Sequence, residues 1–411
     1  CALISMYSRC GYMLKAEYVF EKITKRNVVA WNTMLSAYLE RGEGWKTLQL
    51  YREMQLEGVK PDQQTLVTAL QACCTLAENG TAEKAGKPMK KIVLEVGQAL
   101  HVDAMNIKGA STDAFVGGAL VTMYGNCDAV HEAEATFDSL LEHNLVIWNA
   151  MICIYVEQNN YEKAIYLYVQ MIKDDHMIND VTLVCILQAF IGTGSLVACY
   201  QIHFIIVLGE NYSCPLLSTS LIHAYGSSGC MTDAEAIFNG LFQPDVVSWS
   251  SCIAGFGREG NYEASIQFLE EMNIEGIAAD ELTYCSFLSS CSHTGHVDMG
   301  LETFVSMIKD SAIIPELKHY ASIIDLLGRA GKCTKAEEVL RKSPMQPDLA
   351  VWLSLLSACC LHSNVELARR AFISTVHLQP GDPAGYALIE NIYRQCYSME
   401  KSYGVDHVAP I

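Results

Sequence analysis

Apolar residues recur along most of the chain at intervals of three and four, the spacing that places side chains on one face of a helix. One such face, between residues 31 and 40, is formed by Trp31, Met34, Leu35 and Tyr38. A turn at residues 41–44 follows, and the next apolar face ends at Gly58 with Pro61 beyond it, as helices commonly end. The pattern therefore predicts antiparallel helix pairs, and no alternating run predicts a strand.

The helical pattern repeats with a period of about 101 residues. Four tryptophans that follow a short apolar lead lie 117, 101 and 103 residues apart: Trp31, Trp148, Trp249 and Trp352. Each period divides into parts of 35, 35 and 31 residues, and the excess of 16 in the first interval predicts a loop insertion near residues 78–94. One helix pair cannot bury its own apolar face, so we expect an all-α, right-handed superhelical solenoid with first helices on its concave side.

The charge, the cysteine content and the hydropathy of the chain limit which classes of function it can have. A formal charge of −18 and a pI near 5.1 argue against a protein that grips nucleic acid mainly by its phosphates. A nucleic-acid reader of this charge needs its acidic residues on the convex face and its affinity from base edges and stacking. The 17 cysteines form no Cys-x-x-Cys pair, which is typical of packed free thiols in a reducing compartment. No window is apolar enough to predict a membrane span.

The repeated residues resemble the plant pentatricopeptide repeat family, in the subclass that alternates standard, long and short motifs. The resemblance rests on Val-Val-Ala-Trp-Asn-Thr-Met-Leu-Ser-Ala-Tyr at 28–38, Leu-Ile-Ser-Met-Tyr-Ser-Arg-Cys-Gly at 3–11 and Ile-Ile-Asp-Leu-Leu-Gly-Arg-Ala-Gly at 323–331. It implies a repeat array over 1–348, with a partial first motif at 1–27, and extension motifs over 349–411, the second incomplete. The chain is then a whole, truncated or decayed family member.

The resemblance also implies which residues read RNA, namely those at the fifth and last positions of each motif. The implied pairs are Asn32 with Asp62 for uracil, Asn149 with Asn179 for cytosine, and Thr219 with Asp245 and Ser250 with Asp280 for guanine. Other motifs carry Gly118, Val67, Val184 or Cys285 at the fifth position and read nothing. The implied target is U, two unread bases, C, one unread base, G and G.

Each of these assignments has a structural alternative. Helix capping explains an Asp just before a helix, as at Asp62, Asp245 and Asp280. Capping does not explain Asn32, Asn149 and Ser250, which lie inside a helix where such residues are mildly unfavourable, so base contact is favoured there. By the resemblance, three second-position residues cover the faces of the bases, although packing between repeats explains them equally well: Val29, Val146 and Val247.

We therefore expect sequence-selective binding of single-stranded RNA in a mitochondrion or chloroplast, with no catalytic residue, metal or cofactor in this chain and no membrane contact. By the resemblance, the RNA-bound chain guides cytidine-to-uridine editing, and its C-terminal extension recruits a deaminase or editing cofactor protein. The deaminase must act in trans, because neither the His-x-Glu nor the Cys-x-x-Cys zinc signature occurs here. The alternative is a protein-binding helical-repeat scaffold with no RNA target, which has no reason to keep a periodic polar residue.

Overall fold

The computed structural model describes residues 1–78, 83–84, 87–107, 113–208, 214–309 and 313–402. In this part of the chain 23 helices account for nearly all regular structure. The chain forms two compact units, Cys1–Thr193 and Gly194–Ile411.

The first unit contains eleven helices and one short hairpin. Its helices are α1 (Ala2–Arg9), α2 (Met13–Glu21), α3 (Val28–Glu40), α4 (Gly44–Leu56), α5 (Gln63–Glu78), α6 (Met89–Asn106), α7 (Ala114–Asn126), α8 (Val130–Ser139), α9 (Leu145–Glu157), α10 (Tyr161–Lys173) and α11 (Asp180–Thr193). Two antiparallel strands, β1 (Glu83–Lys84) and β2 (Lys87–Pro88), lie between α5 and α6. The loop predicted near 78–94 falls partly outside the described residues, and its last six residues begin α6 instead.

The second unit contains twelve helices. They are α12 (Leu196–Leu208), α13 (Pro215–Ser227), α14 (Met231–Asn239), α15 (Val246–Glu259), α16 (Tyr262–Ile274), α17 (Glu281–Thr294), α18 (Val297–Lys309), α19 (Leu317–Arg329), α20 (Cys333–Lys342), α21 (Leu349–Leu361), α22 (Val365–Leu378) and α23 (Pro383–Ser402). The segment from residue 349 onward continues the stack, because α21 packs against α19. Its assignment as extension motifs remains a prediction.

Both units are built from the same two layers. The odd-numbered helices, called first helices below, pack each against the next: α1 to α11 in the first unit and α13 to α23 in the second. The even-numbered helices, called second helices, pack between two successive first helices of the same unit, apart from α12, which packs against α13. Short turns join the two helices of a pair, which makes them antiparallel. The predicted fold class, an all-α solenoid of antiparallel helix pairs, is confirmed.

Aromatic contacts explain the tryptophan period that revealed the repeats. In three motifs the tryptophan of a first helix meets, edge to face, a phenylalanine eleven residues earlier on the preceding second helix. The ring centroids of Trp31 and Phe20 lie 5.0 Å apart, those of Trp148 and Phe137 5.3 Å, and those of Trp249 and Phe238 4.6 Å. The three tryptophans are buried, so the sequence marker is a core contact between successive helix pairs.

The end of α4 shows how a pair is closed. Gly58 adopts a left-handed backbone with φ of 75°, and the N–H of Val59 donates to the carbonyl of Met54 at 3.1 Å. A residue with a Cβ is strained in this conformation. The glycine therefore stops the helix at the position that the sequence predicted.

The cysteines of the described residues are free thiols. Burial raises the pKa of Cys252 to about 12 and that of Cys291 to about 12, which keeps both thiols protonated and unreactive. Within the described ranges, no group of three or more His, Cys, Asp or Glu side chains could hold a metal ion. In the same ranges, no helix has both the length and the apolar character needed to cross a membrane.

Candidate nucleic-acid interface

The eight residues predicted to read RNA meet in four pairs, two in each unit. In each pair the fifth-position residue lies in the first or second turn of a first helix. Its partner directly precedes the next first helix in the layer. Packing of adjacent first helices therefore brings together residues that are 26 or 30 positions apart in the chain.

The first pair is Asn32 and Asp62. Nδ2 of Asn32 donates to Oδ1 of Asp62 at 2.9 Å. The hydroxyl of Thr65 lies 2.6 Å from Oδ1 of Asn32 and 2.7 Å from Oδ1 of Asp62, so its single proton serves either oxygen. The three side chains form a closed hydrogen-bonded triangle between α3 and α5.

The same triangle recurs between α9 and α11 with an amide in place of the carboxylate. Nδ2 of Asn149 donates to Oδ1 of Asn179 at 3.0 Å. The hydroxyl of Thr182 lies 2.7 Å from Oδ1 of Asn149 and 2.9 Å from Oδ1 of Asn179. The arrangement thus does not depend on a negative charge at the last position.

Two further triangles in the second unit use hydroxyls as the fifth-position residue. Oγ1 of Thr219 lies 3.1 Å from Oγ of Ser248, which donates to Oδ1 of Asp245 at 2.5 Å. Oγ of Ser250 lies 2.7 Å from Oγ1 of Thr283, and Thr283 donates to Oδ1 of Asp280 at 2.7 Å. In all four motifs a buried hydroxyl thus links the fifth position to the last, and in the two asparagine motifs the pair is also bonded directly.

Hydrogen bonding shifts the acid strength of Asp62. Its partial burial raises the pKa, but the hydrogen bonds from Asn32 and from the N–H and hydroxyl of Thr65 outweigh burial, so the pKa lies below its usual value. These donors stabilise the charged carboxylate. Asp62 is therefore ionised, and an acceptor only, throughout the neutral pH range.

Helix capping and pairing occur together at the last position. Oδ1 of Asp245 accepts from the N–H of Ser248 at 2.8 Å, and Oδ1 of Asp280 accepts from the N–H of Thr283 at 2.8 Å. Asp62 and Asn179 accept in the same way from the N–H three residues on. Helix capping, the alternative explanation of these residues, is thus present, and at Asp62 and Asn179 it uses the same oxygen that accepts from the fifth-position side chain.

The hydroxyl residues were missed by the sequence analysis. Each lies three residues after the last motif position, and each side chain is buried: Thr65, Thr182, Ser248 and Thr283. The available signal was an Asp or Asn followed three residues later by Ser or Thr. This signal is also typical of an ordinary cap, so spacing alone could not link it to the preceding helix.

The fifth-position side chains differ in exposure. Asn32 and Thr219 are half-buried, whereas Asn149 and Ser250 are only 8% and 4% exposed. Packing against the following first helix covers the latter two. A ligand could reach them only along the edge left open beside the second-position residue.

The second-position valines lie at that edge. Val29, Val146 and Val247 are 59%, 64% and 51% exposed, and each precedes its fifth-position residue by three, which is one turn of the same helix face. Such exposure rules out the alternative of a core contact between repeats. Each triangle is therefore bordered by an apolar side chain open to solvent.

Acidic residues are distributed unevenly between the two layers. Among the helices bounded above, α1, α7, α13 and α21 carry no Asp or Glu, and the other first helices up to α19 carry one each. Second helices such as α8 and α16 carry three each. The first helices thus add little negative charge to that of Asp62, Asp245 and Asp280 in the triangles themselves, which limits the repulsion of an anionic ligand there.

Comparison with known proteins identifies the family. The PPR repeat family profile matches residues 26–75, 143–192 and 244–293, and the PPR repeat profile matches residues 1–28, 218–242, 282–311 and 318–343. Together these ranges cover more than half of the chain. The chain belongs to the pentatricopeptide repeat family.

Similar curated proteins come from Arabidopsis thaliana. The chain is 32% identical to pentatricopeptide repeat-containing protein At5g39350 over 95% of this chain and 56% of that protein. It is 33% identical to the chloroplastic protein CRR2, over 96% and 58%, and 30% identical to the mitochondrial protein At3g02330, over 97% and 45%. The chain thus spans about half the length of these relatives.

A solved structure shares the fold. The crystal structure of pentatricopeptide repeat protein PPR10 from maize aligns with a TM-score of 0.57 at 17% identity, covering 98% of this chain and 62% of that one. At this identity the likeness concerns the fold alone.

Proposed function

We propose that this chain binds single-stranded RNA selectively, with one motif facing one base. The observation that carries the proposal is the recurrence of a hydroxyl-linked polar pair at four motifs, three of them beside an exposed valine. A base lifted out of a stack needs apolar cover for its face and hydrogen-bonding groups for its edge. The valine supplies the cover, and the pair supplies the edge contacts.

The last residue of each pair selects the base through the atom that the triangle leaves free. The donors from Asn32 and Thr65 all approach Oδ1 of Asp62, which leaves Oδ2 to accept from a ligand. At Asn179 the same donors approach Oδ1 and turn the amino group outward to donate. Uracil has an N–H at its N3 position, whereas cytosine has an acceptor there. Asp62 therefore favours uracil, and Asn179 favours cytosine.

The two fifth-position residues that carry a hydroxyl, Thr219 and Ser250, present hydrogen-bond acceptors to a base. The proton of Ser248 goes to the Asp245 carboxylate, so Thr219 donates to Ser248 and keeps its lone pairs for a ligand. The proton of Thr283 goes to the Asp280 carboxylate, so the single proton of Ser250 serves Thr283 and the carbonyl of Val246, and its lone pairs are likewise left to accept. Guanine carries two donor groups on its Watson–Crick edge, N1–H and the N2 amino group, and these match an acceptor hydroxyl beside an Asp carboxylate. Both motifs therefore favour guanine.

Two more specific parts of the proposal concern the location of the protein in the cell and the reaction that the bound RNA undergoes. Relatives named as chloroplastic and mitochondrial support an organellar location. We further propose that the bound RNA is presented for cytidine-to-uridine editing, with the C-terminal segment from residue 349 recruiting the deaminase or editing cofactor protein. The motif subclass inferred from the sequence supports this step. The 411 residues carry no zinc-deaminase signature, so the chemistry has to come from residues outside them.

A pool of short random RNAs tests the binding proposal. The chain is incubated with the pool at moderate salt, and the retained RNAs are sequenced. We expect enrichment of U, two variable bases, C, one variable base, G and G, in the 5′ to 3′ direction. Retained RNAs without this pattern contradict the base assignments. Failure to retain any RNA contradicts RNA binding and favours a protein-binding scaffold.

A further inference from the structure

We propose that the buried hydroxyl residues Thr65, Thr182, Ser248 and Thr283 are positioning residues that set the orientation of the fifth-position side chain, and through it the base that each motif accepts. The inference rests on the proposed RNA binding and adds a third determinant to each pair. The hydroxyl lies behind the pair, so it touches no base itself.

Helix capping does not require these hydroxyls. Asn27 caps α3 by accepting from the N–H of Ala30 at 3.0 Å, and Asn144 caps α9 by accepting from the N–H of Ile147 at 3.0 Å. The residue three positions after the cap, whose N–H the cap accepts from, can therefore be purely apolar. Since a buried hydroxyl needs a partner to offset its desolvation, the hydroxyl at this position calls for another explanation.

The hydroxyls occur where the fifth-position residue is polar. Motifs with Asn32, Asn149, Thr219 and Ser250 each have Ser or Thr at the buried position, within 2.6 to 3.1 Å of that residue. The motif with Gly118 has Ile147 there, and the motif that starts at Cys1 has Ala30. Where the side chain at the fifth position has no oxygen or nitrogen atom to orient, the buried position thus carries no hydroxyl.

The donors and acceptors around the asparagine amide show how its orientation is set. An asparagine amide can turn over and exchange its oxygen for its amino group at little cost in shape. The contact of 2.6 Å joins Oγ1 of Thr65 to the amide oxygen of Asn32, which can only accept, so Thr65 is the donor in this contact. A donor faces the amide oxygen, which directs the amino group of Asn32 to Asp62. Thr182 donates to the amide oxygen of Asn149 at 2.7 Å and orients it in the same way.

The first experiment removes one hydroxyl while keeping its shape. Wild type, Thr65→Val, Thr65→Ser and Thr68→Val are titrated as full chains with four RNAs that differ only at the base facing Asn32. Thr68 is the matched control, because it is buried on the same helix but donates only to the carbonyl of Gln64 at 2.8 Å. We expect Thr65→Val to lower the preference for uracil over cytosine about fivefold, the factor of a single hydrogen bond. Thr65→Ser and Thr68→Val should keep it.

A second experiment builds the determinant where it is absent. Gly118 is followed by Asn144 at the last position, and a Cβ at Gly118 would lie 3.3 Å from Cγ1 of Ile147. Two double variants of equal volume are compared, Gly118→Asn with Ile147→Thr and Gly118→Asn with Ile147→Val. We expect a cytosine preference at the base before the native cytosine only in the threonine variant.

The outcomes separate this inference from the proposed function. If wild type discriminates among the four RNAs and Thr65→Val discriminates equally well, positioning by the hydroxyl is wrong and RNA reading stands. Equal cytosine preference in both double variants contradicts it in the same way. If wild type shows no preference at the base facing Asn32, the proposed reading itself is wrong, and the positioning role falls with it.

Discussion

Asn149 donates a hydrogen bond of 3.0 Å to Asn179 across two adjacent first helices. Asn149 and Asn179 are the fifth and last residues of one motif, but Thr182, which completes the triangle, belongs to the next motif, so neither motif contains the whole unit. Adjacent motifs must be packed in register before the unit exists. The proposed recognition of a base is thus a property of the interface between motifs.

Replacing the amide of Asn179 with a carboxylate tests this three-residue unit directly. Asn179→Asp keeps an oxygen for the cap and for Asn149, but it replaces the outward amino group with an acceptor. We expect the preferred base at this motif to change from cytosine to uracil, by about tenfold in the ratio of dissociation constants. The converse variant, Asp62→Asn, should move its own base from uracil to cytosine. Competition binding with single-base RNA variants measures both, and a change in overall affinity without a change in preference would contradict the assignment.

Replacing Asn32, the amide at the fifth position, with a hydroxyl residue tests the other member of a pair. Asn32→Ser leaves Asp62 and Thr65 in place, as in the motif of Ser250. We expect the preferred base to move from uracil toward guanine, with the preference at the base facing Asn149 unchanged. Four RNAs that differ at one position suffice to measure it. An unaltered uracil preference rejects Asn32 as a reader.

The exposed valines should contribute affinity without stability. Val146→Ser removes apolar cover for a base from a side chain that is 64% exposed, so we expect RNA binding to weaken by about threefold to fivefold. The melting temperature should hardly change, because exposed substitutions away from special features cost little. Val169→Ser on α10, an exposed valine of a second helix, is the control and should bind as wild type does. Equal losses in both variants would reject base packing.

Salt dependence should be shallow. Between α1 and α21 the first helices carry four basic residues, Arg9, Arg258, Lys318 and Arg329. Single-stranded nucleic acid releases about 0.7 counterion per neutralised phosphate, so the slope of log affinity against log salt concentration should not exceed about 3 in magnitude. Titrations from low to moderate salt measure the slope. A much steeper dependence would mean that phosphate contacts elsewhere dominate the affinity.

The lowered pKa of Asp62 predicts an acid-sensitive triangle. Because the folded pKa lies below the unfolded value, the carboxylate stabilises the fold above the unfolded pKa, and this contribution is lost as the pH falls through the folded pKa. We expect the carboxyl carbon of Asp62 to titrate by NMR below its usual range. In Asn32→Ala the midpoint should move up, since one donor to the carboxylate is gone. An unchanged midpoint would mean that Thr65 alone holds the charge.

Much of the fold could be predicted from local patterns. The apolar face of Trp31 and the stop at Gly58 correspond to α3 and α4, because helix periodicity and a left-handed cap are encoded by neighbouring residues. The predicted loop at 78–94 was wrong in its last part, where residues 89–94 begin α6. The lysines and glycines in this segment resembled loop composition, and the packing of α6 against α5 and α7 overrides that preference.

By itself, the sequence determined the repeat, the helix pairs and the positions of Asn32, Asp62 and their counterparts, because these features recur at fixed spacing. Only the tertiary structure decided that the hydroxyl of Thr65 joins Asn32 and Asp62, that Val29 faces solvent, and that one oxygen of Asp62 both caps a helix and accepts from Asn32. The physical reason is that these contacts join side chains about thirty residues apart, and their geometry exists only after neighbouring first helices have packed.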